Sequence, residues 1–87
     1  MPKTARDDVY AVINGERDYQ DSLGPDRSDG VPRSVGDYLT MLTTYLRKAQ
    51  DAWTNNPGDG PALHEIRKIG GIAVHCMEDH GAPWRAS

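Results

Sequence analysis

The stretch SVGDYLTMLTTYLRKAQDAW, Ser34 to Trp53, carries the pattern that decides the fold. Leu39, Leu42, Leu46, Ala49 and Trp53 recur by alternating steps of three and four, the spacing of one helix face and of a heptad seam. Ser34 ahead of the run, with Asp37 three residues on, predicts an N-cap in a short-armed capping box. A helix over about 34–54 follows. Beside the seam runs a second stripe, Tyr38, Met41, Tyr45 and Ala52. One facing helix covers one stripe, so this helix needs contacts on two sides, from the first helix or from another subunit.

Downstream, NNPGDGP (Asn55–Pro61) breaks the pattern, and Pro61 suits the first turn of a new helix with Asp59 or Gly60 as its cap. Leu63, Ile66, Gly70, Ala73 and Met77 repeat the heptad spacing, and Gly81 followed by Pro83 ends a helix expected over about 61–80. Gly70 and Gly71 inside it each cost about 1 kcal/mol relative to alanine. They read either as close helix packing or as space left for a ligand. Upstream, LGPDRSDGVPR (Leu23–Arg33) holds two Gly, two Pro and two Asp in eleven residues and reads as a loop. Before it, Val9, Val12, Ile13 and Glu16 share a face, continued by Tyr19 and Gln20, in a helix over about 4–22 that Gly15 interrupts. The fold class expected is all-α: an antiparallel two-helix hairpin with a shorter N-terminal helix, one domain over 1–87, assembling into an oligomeric helical bundle.

Size supports the oligomer. A chain of 87 residues is small, and one of that length buries only about 60–65% of the surface its unfolded form exposes. Small domains compensate with disulfides, a metal or a partner. Cys76 is the single cysteine, which excludes a disulfide within the chain and fits a reducing compartment. The net charge of −3 and a pI near 5.4 argue against binding a nucleic acid polymer. A small anion remains open, since two or three placed cations suffice for it. No apolar run is long enough for a bilayer, and the N-terminus lacks the apolar core of a signal peptide. A soluble, cytoplasmic protein with no membrane partner is expected.

Candidate chemistry centres on GERDYQD, Gly15–Asp21. Glu16 falls in line with the apolar face, and a carboxylate turned toward a core needs a cation or donors. Arg17, Lys68 and His75 are the candidate partners, which makes Glu16 and His75 structural or ligand-orienting residues. Arg17 is expected to pair with an anion while Tyr19, with Gln20 beside it, stacks on a planar ring. Arg27 and Arg33, in the Gly- and Pro-rich loop, can close on a ligand. Lys68 shares a polar stripe with His64 and His75. Each of these groups also reads as an ordinary solvated charge. His75/Asp79 and Cys76/His80 have chelating spacing but lie on different faces, so no metal is expected. Cys76 reads as a small core residue. Without a phosphate-binding Gly loop or a dinucleotide fingerprint, neither a cofactor nor a catalytic residue is assigned.

The segments INGERDYQD, SVGDYLTMLTTYLRKAQDAW and ALHEIRKIGGIAVHCMEDHG cover well over half the chain. They resemble a group of small phage-encoded helical proteins labelled MazG-like, after the all-α nucleoside triphosphate pyrophosphatases. Those enzymes hold Mg²⁺ with an E-x-x-E pair and a later E-x-x-D pair on facing helices, and the metal activates water. Here Asp37 and Asp51 stand fourteen apart with no carboxylate between them, and Glu65 is far from Glu78 and Asp79. The resemblance therefore implies a nucleotide-enzyme scaffold without its metal site. It also implies a role filled by small oligomeric phage proteins, which sequester cyclic dinucleotides or cyclic ADP-ribose isomers used in bacterial anti-phage defence. On that expectation Arg17 and Lys68 meet phosphates, Tyr19 or Tyr38 stacks on a base, and Arg27 or Arg33 closes the loop, at a subunit interface in the infected cell's cytoplasm. Two alternatives stand beside it. One is a Mg²⁺-dependent pyrophosphatase using Glu16, Glu65 and Asp79; the other is an adaptor that docks a protein on its second apolar stripe.

Overall fold

The computed structural model describes residues 3–24 and 31–86. Within them lie three helices, α1 (Arg6–Ser22), α2 (Val35–Asn55) and α3 (Gly60–His80), and no strand. Local chemistry explains each boundary. Asp7 and Asp8 in the first turn of α1 complement the positive end of its dipole. Ser34 and Asp37 exchange the two bonds of a capping box, at 3.0 and 3.1 Å, and start α2. The Asn56 side chain donates to the Ala52 carbonyl at 2.9 Å and satisfies one orphan acceptor at its end. Pro61 opens α3, and Gly81, at φ +117°, closes it by donating to Met77 O. No helix among the described residues is long and apolar enough to cross a membrane.

Helix α3 is the centre of the molecule. Both α1 and α2 pack against it, while α1 and α2 make no close backbone approach to each other among the described residues. The first helix therefore faces the second stripe of α2 across a gap and does not pack its backbone against it. Gly70 and Gly71 account for this: a Cβ on Gly70 meets Ile13 Cδ1 at 3.2 Å, and one on Gly71 meets Gln20 Nε2 at 2.7 Å and Glu16 Cγ at 2.9 Å. The two glycines let the backbone of α3 come up to α1, which is the packing reading of the pair.

The apolar seam also takes a different place from the one its spacing predicts. Leu39, Leu46, Trp53, Leu63 and Ile66 are all more than half exposed, whereas Tyr38 is wholly buried. Tyr38 and Ala49, eleven residues or three turns apart, mark the buried line of α2. That line runs between the two stripes. Small Ala49 and Ala62 at the crossing let the helices close along it, so both stripes become flanks. One flank faces α1 across a gap; the other faces outward. Ile72 completes the thin buried core from α3.

Candidate ligand-binding cleft

Because α1 and α2 lean on α3 and not on each other, a cavity of about 310 Å³ opens between them. Its α1 wall is Glu16, Tyr19, Gln20 and Leu23; its α2 wall is Tyr38, Met41 and Tyr45; Lys68, Ile72 and His75 of α3 form the floor. The volume lies at the lower end of small-molecule sites, and the mixture of apolar and aromatic side chains with a few polar groups is typical of them.

Contacts to α3 fix the α1 wall. Glu16 is buried, accepts from Arg67 Nε at 2.9 Å through one oxygen and from Gln20 Nε2 at 3.3 Å through the other. Arg67 also donates to His64 Nδ1 at 2.6 Å, so that nitrogen is the unprotonated one of the ring. Arg17 is buried too. Its Nε donates to Glu78 Oε1 at 2.7 Å and its Nη2 to Asp21 Oδ1 at 2.9 Å, with a longer bond of 3.3 Å to the second Glu78 oxygen. The hydrogen bond to Glu78 raises the Arg17 pKa further above its already high value; burial opposes this in part, and Asp21 adds to it. In return, the hydrogen bond from Arg17 holds the Glu78 carboxyl below the ordinary carboxylate range.

Tyr38 anchors the α2 wall. Its hydroxyl donates to Asp79 Oδ2 at 2.5 Å, and its ring meets His75 and His80 edge-on, with centroids 5.4 and 6.1 Å away. His80 donates from Nε2 to the Arg33 carbonyl at 2.6 Å, which ties the lead-in of α2 to the end of α3. Lys68 Nζ donates to Glu65 Oε1 at 3.1 Å, an i,i+3 pair that is partly open to water. Such a pair is weak and exchangeable. Tyr19 is exposed at the mouth, and Tyr45 is half-buried with Lys48 Nζ 4.7 Å from its ring centre.

Of the residues expected at a site, Tyr19, Gln20, Tyr38, Lys68, Glu16 and His75 line this one cleft. Arg17 does not line it; its guanidinium is turned onto Glu78 and Asp21, where it joins α1 to α3. Tyr38 is at the cleft but has no exposed ring face on which a base can stack. Arg33 is half-buried beside the end of α3 and outside the lining. Arg27 lies outside the described residues. Two contributors were not among the expected contacts. Arg67 is the cation that Glu16 pairs with, in place of Arg17, Lys68 or His75; it stands four residues before Gly71, on the face α1 covers. Tyr45 supplies the aromatic wall, seven residues and two turns beyond Tyr38. Among the described residues no three His, Cys, Asp or Glu side chains come together as a metal site. Compared with protein families, curated proteins and solved structures, the chain matches none.

Proposed function

We propose that the cleft binds a small nucleotide-type anion and holds it without turning it over. The observation that carries this reading is the convergence of Lys68, His75 and the tyrosines Tyr19 and Tyr45 beside the apolar side chains of Ile72 and Met41. An ammonium and an imidazole suit a phosphate, and tyrosine faces suit a base whatever its identity. Arg17 is left out of this ligand set and serves as the clamp behind the α1 wall. The three carboxylates of a metal-dependent pyrophosphatase have separate partners: Glu16 has Arg67, Glu65 has Lys68 and Asp79 has Tyr38. That separation favours a binder over a hydrolase.

The resemblance to small phage-encoded MazG-like proteins supplies the biological half of the proposal. The ligand is a cyclic dinucleotide or a cyclic ADP-ribose isomer, and removing it from solution blunts bacterial anti-phage defence. The proposal includes an antiparallel hairpin of α2 and α3 within a homo-oligomer. Two features support the hairpin: the short α2–α3 connection, and the bond from Tyr38 near the start of α2 to Asp79 near the end of α3.

Calorimetry with these cyclic nucleotides in excess chelator tests it. Binding is expected without Mg²⁺, the ligand released by heat is expected intact, and Lys68→Ala or Tyr19→Ala weakens binding by roughly tenfold. Degraded ligand, or binding that appears only with Mg²⁺, overturns the proposal.

A further inference from the structure

Among the residues that line the cleft, Lys68 carries the permanent positive charge, and that charge already has a partner. Its ammonium donates to Glu65 Oε1 at 3.1 Å. Glu65, Lys68, Ile72 and His75 follow one another by three, four and three residues, so they share one face of α3. The last three form the floor of the cleft, and Glu65 stands one turn before them.

Glu16 and Glu65 are held in different ways. Glu16 is bonded at both oxygens, to Arg67 and to Gln20, and ties α1 to α3. Glu65 accepts one bond, from a lysine on its own helix, and its second oxygen is buried with no hydrogen-bond partner. A carboxylate with a purely structural role collects donors at both oxygens, because each buried acceptor left unmatched costs stability. Among the described residues, Glu65 makes no hydrogen bond to another helix. Its side chain is 19% exposed and that of Lys68 is 38% exposed. The carboxylate is thus the fixed half of the pair, and the ammonium on its flexible stem is the half that can move.

The other cations nearby are matched as well. Arg67 is held by Glu16, and His75 Nε2 lies 3.7 Å from Asp79 Oδ2. A phosphate entering the cleft must therefore draw a cation away from a carboxylate. Lys68 is the easiest to draw, because its bond is an i,i+3 pair partly open to water.

We infer that Glu65 is an internal anion of the cleft: it holds Lys68, competes with a ligand's phosphate for the ammonium, and thereby limits the affinity for anions. The inference rests on the proposed function and deepens it by naming the residue that sets that affinity. Glu65 acts through the lysine and not by touching the ligand.

Calorimetry of the full chain and of Glu65→Gln tests this, with cyclic di-AMP and cyclic ADP-ribose as probes in excess chelator. Glu65→Gln keeps the shape of the side chain and removes its charge. It is expected to bind about fivefold tighter, the equivalent of one partly exposed ion pair. Its affinity should also fall more steeply with added salt, because Lys68 no longer carries its own counter-ion. A purely structural Glu65 would leave that salt dependence where it is. Thermal melts should find Glu65→Gln as stable as the wild type, since no bond between helices is lost. Unchanged or weaker binding by a folded Glu65→Gln, or an unchanged salt dependence, overturns the inference and leaves the ligand proposal standing. A Glu65→Gln that loses its helicity also overturns it, because the carboxylate is then structural. If neither protein binds either probe, the ligand proposal falls and this inference falls with it. Binding by Glu65→Gln alone supports both.

Discussion

Replacing Gly71 by alanine tests whether α1 lies as close to α3 as the cleft requires. The new Cβ sits 2.7 Å from Gln20 Nε2 and 2.9 Å from Glu16 Cγ, separations that real side chains essentially never show. Gln20 can swing aside. Glu16 cannot do so freely, because its carboxylate is buried and bonded to Arg67 at 2.9 Å. Overpacking of this kind costs about 1–3 kcal/mol, and exchanging glycine for alanine inside a helix returns about 1 kcal/mol. The net expectation is a loss of about 1 kcal/mol. Gly15→Ala is the control: it lies inside α1 with no neighbouring atom within 4 Å of the new Cβ, so only the propensity gain applies.

In a chain of this length, 1 kcal/mol moves Tm by about 4–8 °C. Thermal melts followed by circular dichroism, at one protein concentration so that association does not shift them, read the difference. Gly15→Ala should melt above the wild type and Gly71→Ala below it. Gly71→Ala should also weaken nucleotide binding, since the displaced Glu16 and Gln20 belong to the α1 wall. If both variants melt higher together, α1 does not lie against Gly71 and the cleft has a different wall.

Arg17→Ala removes donors to Glu78 and Asp21, both largely solvated, and should cost about 1–3 kcal/mol in urea unfolding while the folded protein keeps its ligand affinity. Lost affinity at unchanged stability would put Arg17 in the ligand site after all. Acid should act through Glu78, whose folded pKa is depressed chiefly by its hydrogen bond from Arg17. Its contribution is complete above the ordinary carboxylate range and is lost as pH falls through the lowered folded value. With Glu78 half-exposed the effect is under about 1 kcal/mol, and unfolding titrations of Glu78→Gln should show a shallower acid limb than the wild type. Tyr38→Phe keeps the ring against His75 and loses the bond to Asp79, for an expected loss of about 1–2 kcal/mol by chemical denaturation. An unchanged midpoint would mean that the bond does not hold α2 to α3.

Helix positions were legible because they depend on neighbours in sequence. Ser34 with Asp37, Pro61 and Gly81 each act within one turn, and the observed helices begin and end within two residues of the expected ones. The rotation of α2 was not legible, because its two apolar stripes are equally periodic. The line between them was selected by the small size of Ala49 and Ala62 and by a partner for the Tyr38 hydroxyl 41 residues away. The site divides the same way. A carboxylate and aromatics continuing the apolar face of α1 marked Glu16, Tyr19 and Gln20 as facing something. Arg17, one residue from Glu16, points about 100° further round the helix. What it meets there, Glu78, is 61 residues on, a pairing no local spacing encodes.

The residues in and behind the cleft walls separate into those that hold it open and those available to a ligand. Glu16, Arg17 and Tyr38 each engage an ionic or hydrogen-bonding partner on α3. Loss of Glu16 or Tyr38 should move a wall and change affinity and stability together, whereas loss of Arg17, outside the lining, should change stability alone. Lys68 holds one exchangeable partner among the described residues, Glu65, and Tyr19 projects into water at the mouth. Their removal should change affinity at nearly constant stability. Glu16 belongs to both groups, since it lines the cleft and is clamped by Arg67. A binding defect in a Glu16 variant is therefore uninformative about contact with the ligand unless the variant's stability is measured beside it. The opposite flank obeys the reverse logic: Leu39, Leu46 and Trp53 contribute little to the single chain's buried core, so a charge placed there should test association with the least damage to the cleft.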